Sequence, residues 1–351
     1  MKLYQPLCLR NLELKNRWVM SPMCMYAATD GVANDFHFVH YASRAMGGVG
    51  LVIVEATGVV PEGRITHKCL GLWNEEQANS LKKIVDFVHQ NSDSKIGIQL
   101  AHAGRKASTW NGVQLSDSEG WTTVAPSRIP YQSGEKMPQQ LTIEEIKNLV
   151  SYFKNAAVLA LDAGFDVVEI HAAHGYLLHQ FLSPLSNTRQ DDYGGSFENR
   201  IRFLLEIIDA VNEVLDDFHP LFVRISGTEY AENGWSLEDS VELSQILKSK
   251  NVDLVDVSSG GNIHGARISL FDGYQVPFAS EIRKKTGVKT GAVGLIKTAE
   301  QAEEILVNDD ADLIFVAREI LRNPYIASQI AQQNGENCYF PKEYSRAILK
   351  K

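Results

Sequence analysis

The chain has 351 residues, 44% hydrophobic and 22% charged, with 26 glycines and a formal net charge of -9. This is the profile of an ordinary folded globular protein, which excludes long disordered spans, and the negative sum argues against a general nucleic-acid or anionic-membrane surface. No basic stretch followed by an apolar one opens the chain at Met1 to Pro6, and no apolar run reaches the roughly 20 residues that span a bilayer, so a cytoplasmic protein is expected. Cys8, Cys24, Cys69 and Cys338 form no CxxC pair and no close-set framework, which argues against a disulfide scaffold or an iron-sulfur cluster and for a reducing compartment.

Residues 7–15 alternate apolar and polar around Arg10-Asn11 and predict a short β-hairpin suited to capping one end of a barrel. Trp18-Val19-Met20 makes a first core strand, stopped by Ser21-Pro22. Further strands are expected at 50–56, 95–100, 166–170, 221–225, 254–257, 288–292 and 312–316. Their short apolar runs read as strands buried on both faces. Helical patterns separate them at 36–46, 75–90, 142–163, 198–215, 237–250, 278–286, 299–308 and 323–333, with a capping box at Thr142 and Glu145 and a C-cap at Gly164. This alternation predicts an α/β fold, a parallel (β/α)8 TIM barrel spanning 1–351 as one domain, with an open doubly wound sheet as the alternative. Two long loops, 101–140 and 172–197, follow strands and belong on the face where barrels build their sites.

Polar residues at the strand ends can then be pooled around one mouth. The fourth strand opens into His171, His174 and Tyr176, two imidazoles able to donate to one carbonyl-type oxygen and a phenol able to supply a proton. Each histidine alone is also readable as a core residue, and the His-x-x-His pair as a zinc site, but no third ligand of matching spacing accompanies it. Gln99 and Arg224 end the third and fifth strands and suit a planar heterocycle with an amide edge that becomes anionic on reduction, such as an isoalloxazine. A structural carboxylate partner is the plainer account of Arg224, and a small buried hydrophobe that of Cys24. Gly291 to Gly294 and Ala317-Arg318 follow the last two strands, the usual place for a phosphate in such barrels.

Taken together, the segments 21–26, 54–56, 98–106, 171–176, 183–187 and 193–200 resemble the old yellow enzyme family of flavin-dependent ene-reductases, within it the shorter bacterial members similar to the thermophilic and xenobiotic-reductase types. The resemblance covers essentially the whole chain. It implies FMN across the barrel mouth, with Ser21, Pro22, Met23, Cys24, Ala56, Gln99 and Arg224 around the ring system and Gly294, Ala317 and Arg318 at the phosphate. It further implies that Cys24 tunes the flavin, that His171 and His174 hold the activating oxygen of the substrate, that Tyr26 and Lys106 line the site, and that Tyr176 donates the proton. No metal is implied. The implied reaction is a ping-pong hydride transfer through flavin N5, from NADPH or NADH to the C=C bond of an α,β-unsaturated carbonyl or nitro compound. Nitro or quinone reduction and a non-redox phosphate-binding barrel are the alternatives.

Ala317 stands where these enzymes often carry Gly, which predicts a tighter approach of the phosphate. Tyr344-Ser345-Arg346 is similar to the C-terminal arginine that some members insert into a neighbouring subunit, which implies a homodimer or homotetramer with Arg346 at a shared site. Trp110, Trp121 and Phe271 are candidates for shaping the substrate pocket.

Overall fold

A computed structural model describes residues 1–337 and 341–347; Cys338 and residues 348–351 lie outside the described residues. Eight parallel strands close into a barrel: β1 (Trp18–Met20), β2 (Leu51–Gly58), β3 (Lys95–Ala101), β4 (Val167–Ala172), β5 (Leu221–Ser226), β6 (Leu254–Ser258), β7 (Thr290–Ala292) and β8 (Leu313–Val316). Each pairs with its sequence neighbours, and β8 returns to β1. The barrel expectation holds against the open sheet because closure leaves no strand edge.

Around the barrel run α1 (Asp35–Met46), α2 (Glu75–Asn91), α3 (Ile143–Asp162), α4 (Leu177–Leu182), α5 (Phe197–Asn212), α6 (Leu237–Ser249), α7 (Val276–Thr286), α8 (Ala299–Val307), α9 (Arg318–Arg322) and α10 (Ile326–Gln333). The capping box at Thr142 and Glu145 is formed as the spacing predicts. Among the described residues no helix is long and apolar enough to cross a membrane.

Two expectations change. The helix foreseen at 323–333 begins only at Ile326, as α10, because Pro324 holds Asn323 in an extended conformation (φ -136°, ψ 93°), and the short α9 before it is an addition to the expected elements. The loop at 172–197 contains α4, whose six residues are all buried and so carry no amphipathic period to read. The 101–140 loop is likewise organised, by a turn at Gly104–Lys106 and two small ribbons, Thr109–Trp110 with Val113–Gln114 and Val124–Ala125 with Gln139–Gln140.

The N-terminal hairpin, Leu7–Leu9 paired with Leu12–Leu14, turns its leucines inward. Leu7, Leu9, Leu12 and Leu14 join Leu51, Val167, Phe222, Leu254 and Leu313 in one apolar cluster at the strand starts. The hairpin therefore plugs the bottom of the barrel. Above that plug the inward positions turn polar, since residues two apart on a strand face the same side: Ile53 is followed by Glu55, Phe222 by Arg224, Leu254 by Asp256. Replacing the fully buried Leu14 by Ala should lower stability by about 2 to 5 kcal/mol, read as a fall in the urea midpoint at unchanged slope. An unchanged midpoint would show that the hairpin does not seal the barrel.

Candidate active site

His171 and His174 sit where β4 opens, with ring centroids 5.1 Å apart and planes at 87°. The Tyr176 ring lies 5.0 Å from that of His171. The amide of Ala173 donates to His171 Nδ1 at 3.3 Å, which leaves the hydrogen of the neutral ring on Nε2. His174 Nε2 lies 2.7 Å from Ser258 Oγ; a Ser258 hydroxyl that donates there leaves Nδ1 carrying the other hydrogen. Burial, with Arg224 and Lys106 nearby, holds both imidazoles well below their ordinary pKa, so both are neutral donors at pH 7. Burial pushes the Tyr176 phenol well up, and it keeps its proton.

The backbone of His174 is left-handed (φ 59°), a conformation that costs a non-glycine residue about 1 kcal/mol or more. It is pinned on both sides: its amide donates to Ser226 Oγ at 3.0 Å, and its carbonyl accepts from Lys106 Nζ at 2.8 Å. The same ammonium donates to the Gly261 carbonyl at 2.8 Å. Lys106 thus lines the site, yet its amine is spent on holding the His174 loop. Burial lowers its pKa to about 8, with Arg105 adding to the effect. Gly175 is required here, since a Cβ would stand 2.3 Å from the Gly261 carbonyl oxygen.

Across the mouth, Arg224 Nε lies 2.9 Å from Asp256 Oδ2, its register partner on β6, and Nη2 donates to Ser21 Oγ at 3.2 Å. Gln99 Nε2 donates to Glu169 Oε1 at 2.7 Å between paired positions of β3 and β4. Arg224 thus has the structural carboxylate partner and still presents a guanidinium edge. The Arg224 contact is close, but its N–H does not point at the carboxylate: Arg224 Nε, both Asp256 oxygens and Glu169 Oε2 are buried without a hydrogen-bond partner. Burial and the Asp256 carboxylate push Glu169 up to about 8, against the pull of Arg224 and Gln99. Asp256 and Glu169 went unassigned in the sequence because an alternating strand gives no sign that its inward acid meets an arginine from the next strand.

Gly294, Ala317 and Arg318 line a cavity of about 380 Å³ at the ends of β7 and β8, together with Lys297 and Gln275. Gly294 has φ 128°, which only glycine adopts readily. Ala317 has φ -108° and ψ -91°, so an L side chain is free of the left-handed penalty there. Arg318 makes no ion pair with the described residues, whereas Lys297 is paired with Asp272 at 2.5 Å.

A second cavity, about 440 Å³, is lined by Tyr26, Thr66, Lys106, Trp110, Tyr131 and Tyr176 among others. The Lys106 ammonium sits 4.5 Å from the Tyr131 ring centroid and 5.0 Å from that of Tyr176. Trp110 lines this cavity, but Trp121 does not: it packs on Arg64 and donates to the Glu62 carbonyl. Phe271 is exposed against Tyr274. Tyr131 was missed because it lies in the long loop with no pattern around it. His102, at the end of β3, is turned into the core, where its Nδ1 accepts from Gly104. Arg346 lies on an exposed turn, Lys342–Ala347, with no buried residue.

The segment from Ser21 to Tyr26 is steered by Glu55, which accepts from the Met25 amide and the Tyr41 hydroxyl, each at 3.0 Å. Ser21 and Pro22 are buried, Met23 is half-buried and packs against the core, and Ala56 lies at the adjoining end of β2. Cys24 is half-buried, and the neighbouring Cys69 thiol together with burial holds its pKa well above the ordinary value. The sequence spacing did not foresee that pair. Among the described residues no group of three or more His, Cys, Asp or Glu side chains could hold a metal ion.

The sequence matches the NADH:flavin oxidoreductase / NADH oxidase family over residues 2–337. It is 54% identical over 348 residues to an NADPH dehydrogenase of Listeria monocytogenes serotype 4a, and 53% to one of Listeria innocua serovar 6a, covering 99% of each chain in both cases. Among solved structures it is similar to morphinone reductase in complex with tetrahydroNAD, at 27% identity and a TM-score of 0.79, covering 97% of this chain and 93% of that one.

The neutral histidines set a pH dependence. Their folded pKa values lie below the ordinary 6.5, so on acidification the unfolded chain takes up protons first. The stability they contribute is complete above about pH 6.5 and is lost as pH falls below it. The urea midpoint should drop between pH 7 and pH 5, and drop less in a His171→Asn/His174→Asn variant. Equal drops in both proteins would mean that these rings are not held neutral.

Proposed function

Because this chain belongs to the NADH:flavin oxidoreductase / NADH oxidase family, and is an FMN-dependent NAD(P)H oxidoreductase of the old yellow enzyme type, we propose that it is an ene-reductase acting on the C=C bond of α,β-unsaturated carbonyl or nitro compounds. The observation that carries this reading is the pair of neutral imidazoles set at right angles beside a protonated phenol. Two N–H donors converging on one oxygen withdraw electron density from a conjugated alkene, and a phenol at their side can close the reaction with a proton.

The residues present fit FMN. An arginine without a carboxylate partner among the described residues borders the cavity at β7 and β8, as a phosphate needs, and four buried polar atoms without partners, on Arg224, Asp256 and Glu169, lie together where a ring with donors and acceptors along its edge would satisfy them. Arg318 with the backbone around Gly294 and Ala317 would hold the phosphate; Gln99, Arg224, Ser21, Pro22, Met23, Cys24 and Ala56 would surround the ring. The chemistry supplied by bound FMN is hydride transfer, from NADPH or NADH to the second substrate.

The chain's own residues do the rest. His171 Nε2 and His174 Nδ1 bind the activating oxygen and stabilise the negative charge that develops on it, with Ser258 fixing the second ring. Arg224 supplies a fixed positive charge facing the mouth. Tyr176 delivers the proton from its hydroxyl to the carbon next to the activating group, and Tyr26, Trp110 and Tyr131 offer flat apolar walls to the substrate. An assembly of two or four copies, with the exposed Arg346 offered to a neighbouring site, belongs to the same reading.

The test is the visible spectrum of the purified protein, followed anaerobically as NADPH and then 2-cyclohexenone are added. Bands that bleach and then return support the proposal; bands that bleach and stay bleached move the substrate class to nitro compounds or quinones. Tyr176→Phe should lower the rate of alkene reduction by about 10²- to 10⁴-fold while leaving bleaching by NADPH intact. His171→Ala should cost about 10²- to 10³-fold in kcat/KM for the alkene. Equal losses in both half-reactions would remove these residues from the roles given.

A further inference from the structure

The turn that carries His174 meets a second left-handed turn at the mouth. His174 and Gly175 have φ 59° and 71°, and Gly260 and Gly261, in the loop after β6, have φ 70° and 92°. The two turns touch at their backbones, since a Cβ on Gly261 would stand 2.6 Å from the His174 Cα. Backbone of this kind persists only where its surroundings over-determine it. Ser226 and Lys106 supply part of the restraint. The rest converges on one fully buried carboxylate, Glu229, in the loop after β5.

The four groups set against Glu229 are donors. Its Oε1 accepts from the Ser183 hydroxyl and from the Trp235 amide, each at 2.7 Å. Its Oε2 accepts from Asn262 Nδ2 at 2.7 Å and lies 3.5 Å from His179 Nε2. An ionised carboxylate alone can meet all four, because it accepts on both oxygens and donates from neither. Burial raises the Glu229 pKa, but His179, Ser183 and Asn262 outweigh it and hold the group below its ordinary value, hence charged at pH 7. Two arms lead from this carboxylate to the turns. His179 Nδ1 accepts from the Gly175 amide at 3.0 Å, so the ring hydrogen sits on Nε2, the nitrogen beside Glu229, and the carboxylate holds the tautomer that Gly175 needs. Asn262 is the other arm. Its Oδ1 and its carbonyl accept from Arg105 Nη2 at 3.0 and 2.8 Å, so the side-chain amide stands between a buried cation and a buried anion and has one orientation. That fixes the residue next to Gly261, whose carbonyl shares the Lys106 ammonium with the carbonyl of His174.

We propose that Glu229 is a positioning residue for the substrate-binding turn: through His179 it sets the Gly175 amide, through Asn262 it sets Gly261, and together these hold His174 in the left-handed backbone that places its ring beside His171. The proposal rests on the reading of His174 as a group that binds the activating oxygen. Glu229 lines neither the 380 Å³ nor the 440 Å³ cavity and acts only through these partners. A neutral amide in its place must turn an NH2 group toward donors, which leaves either His179 and Asn262 or Ser183 and Trp235 without an acceptor.

The experiment compares the FMN-loaded protein with its Glu229→Gln variant by amide hydrogen exchange and by flavin reoxidation with 2-cyclohexenone. Exchange in the peptide spanning 173–178 should speed up about tenfold, the equivalent of one lost hydrogen bond, while peptides from β1 and β8 keep their protection. The second-order rate of reoxidation should fall about 10²-fold. In a His174→Ala background the same substitution should change that rate by about twofold at most, because the group it positions is gone. If Glu229→Gln folds poorly, Asn262→Ala leaves the other contacts of Glu229 in place and should show the same local exchange and the same lack of additivity. Unchanged exchange at 173–178, faster exchange throughout the barrel, or losses that multiply with His174→Ala would each overturn the proposal. A His174→Ala protein that reduces 2-cyclohexenone at the full rate would instead strike the reading of that histidine, and exchange at 173–178 would still decide the role of Glu229.

Discussion

The structure depends on a buried cation. Arg224 projects into the upper barrel, where water is excluded, and is balanced by Asp256 from the next strand at 2.9 Å. Such a pair is weak as a source of stability, because removing two charges from water offsets most of their attraction. Its value lies in what it does to its neighbours. The positive charge helps to keep His171 and His174 neutral, and it opposes the rise in the Glu169 pKa. Burial keeps the two rings neutral, and the one guanidinium reinforces it while moderating the acid bonded to Gln99. The apolar plug below, with Phe222 two residues before Arg224, makes this possible by keeping water out from the other end.

A second constraint follows at the loop after β4. His174 is held in a left-handed backbone, and the restraint comes from three other parts of the barrel: Ser226 at the end of β5, Ser258 at the end of β6, and Lys106 in the turn after β3. Lys106 is therefore as much a strut as a binding group. Its burial between Tyr131 and Tyr176 explains why its pKa falls, and why its two backbone acceptors, His174 and Gly261, lie so close to Gly175 that no side chain fits.

How much of this was legible in the sequence follows from the range of each interaction. The eight strands and the hairpin were readable because each is a local run whose burial pattern has period two or none, and the long helices because their stripes repeat over three or more turns. The histidine pair and Tyr176 were readable because they share six residues of chain. The partners were not. Asp256 under Arg224, Ser258 on His174 and Tyr131 beside Lys106 are contacts 25 to 84 positions apart, which only the folded chain brings together. The fully buried α4 and the short α9 escaped for a different reason, since one has no polar face to give a period and the other has only five residues, ended by the extended Asn323 before Pro324.

The same geography accounts for where the fold is left unsatisfied. Several of the buried polar atoms without partners, Glu169 Oε2, Arg224 Nε and both Asp256 oxygens, crowd one layer near the mouth. A buried polar group without a partner costs about 1 to 3 kcal/mol, and this chain carries several within one shell. That cost is tolerable only because the plug, the closed hydrogen-bond ladder and the helical coat around it are complete. A bound ring that supplied partners to this layer would stabilise the barrel in proportion to its affinity, since it binds the folded chain and not the unfolded one. Under the proposed reading, the residues that would hold the cofactor are then the same ones whose buried polar groups it would satisfy, and holding the cofactor and holding the fold become one problem.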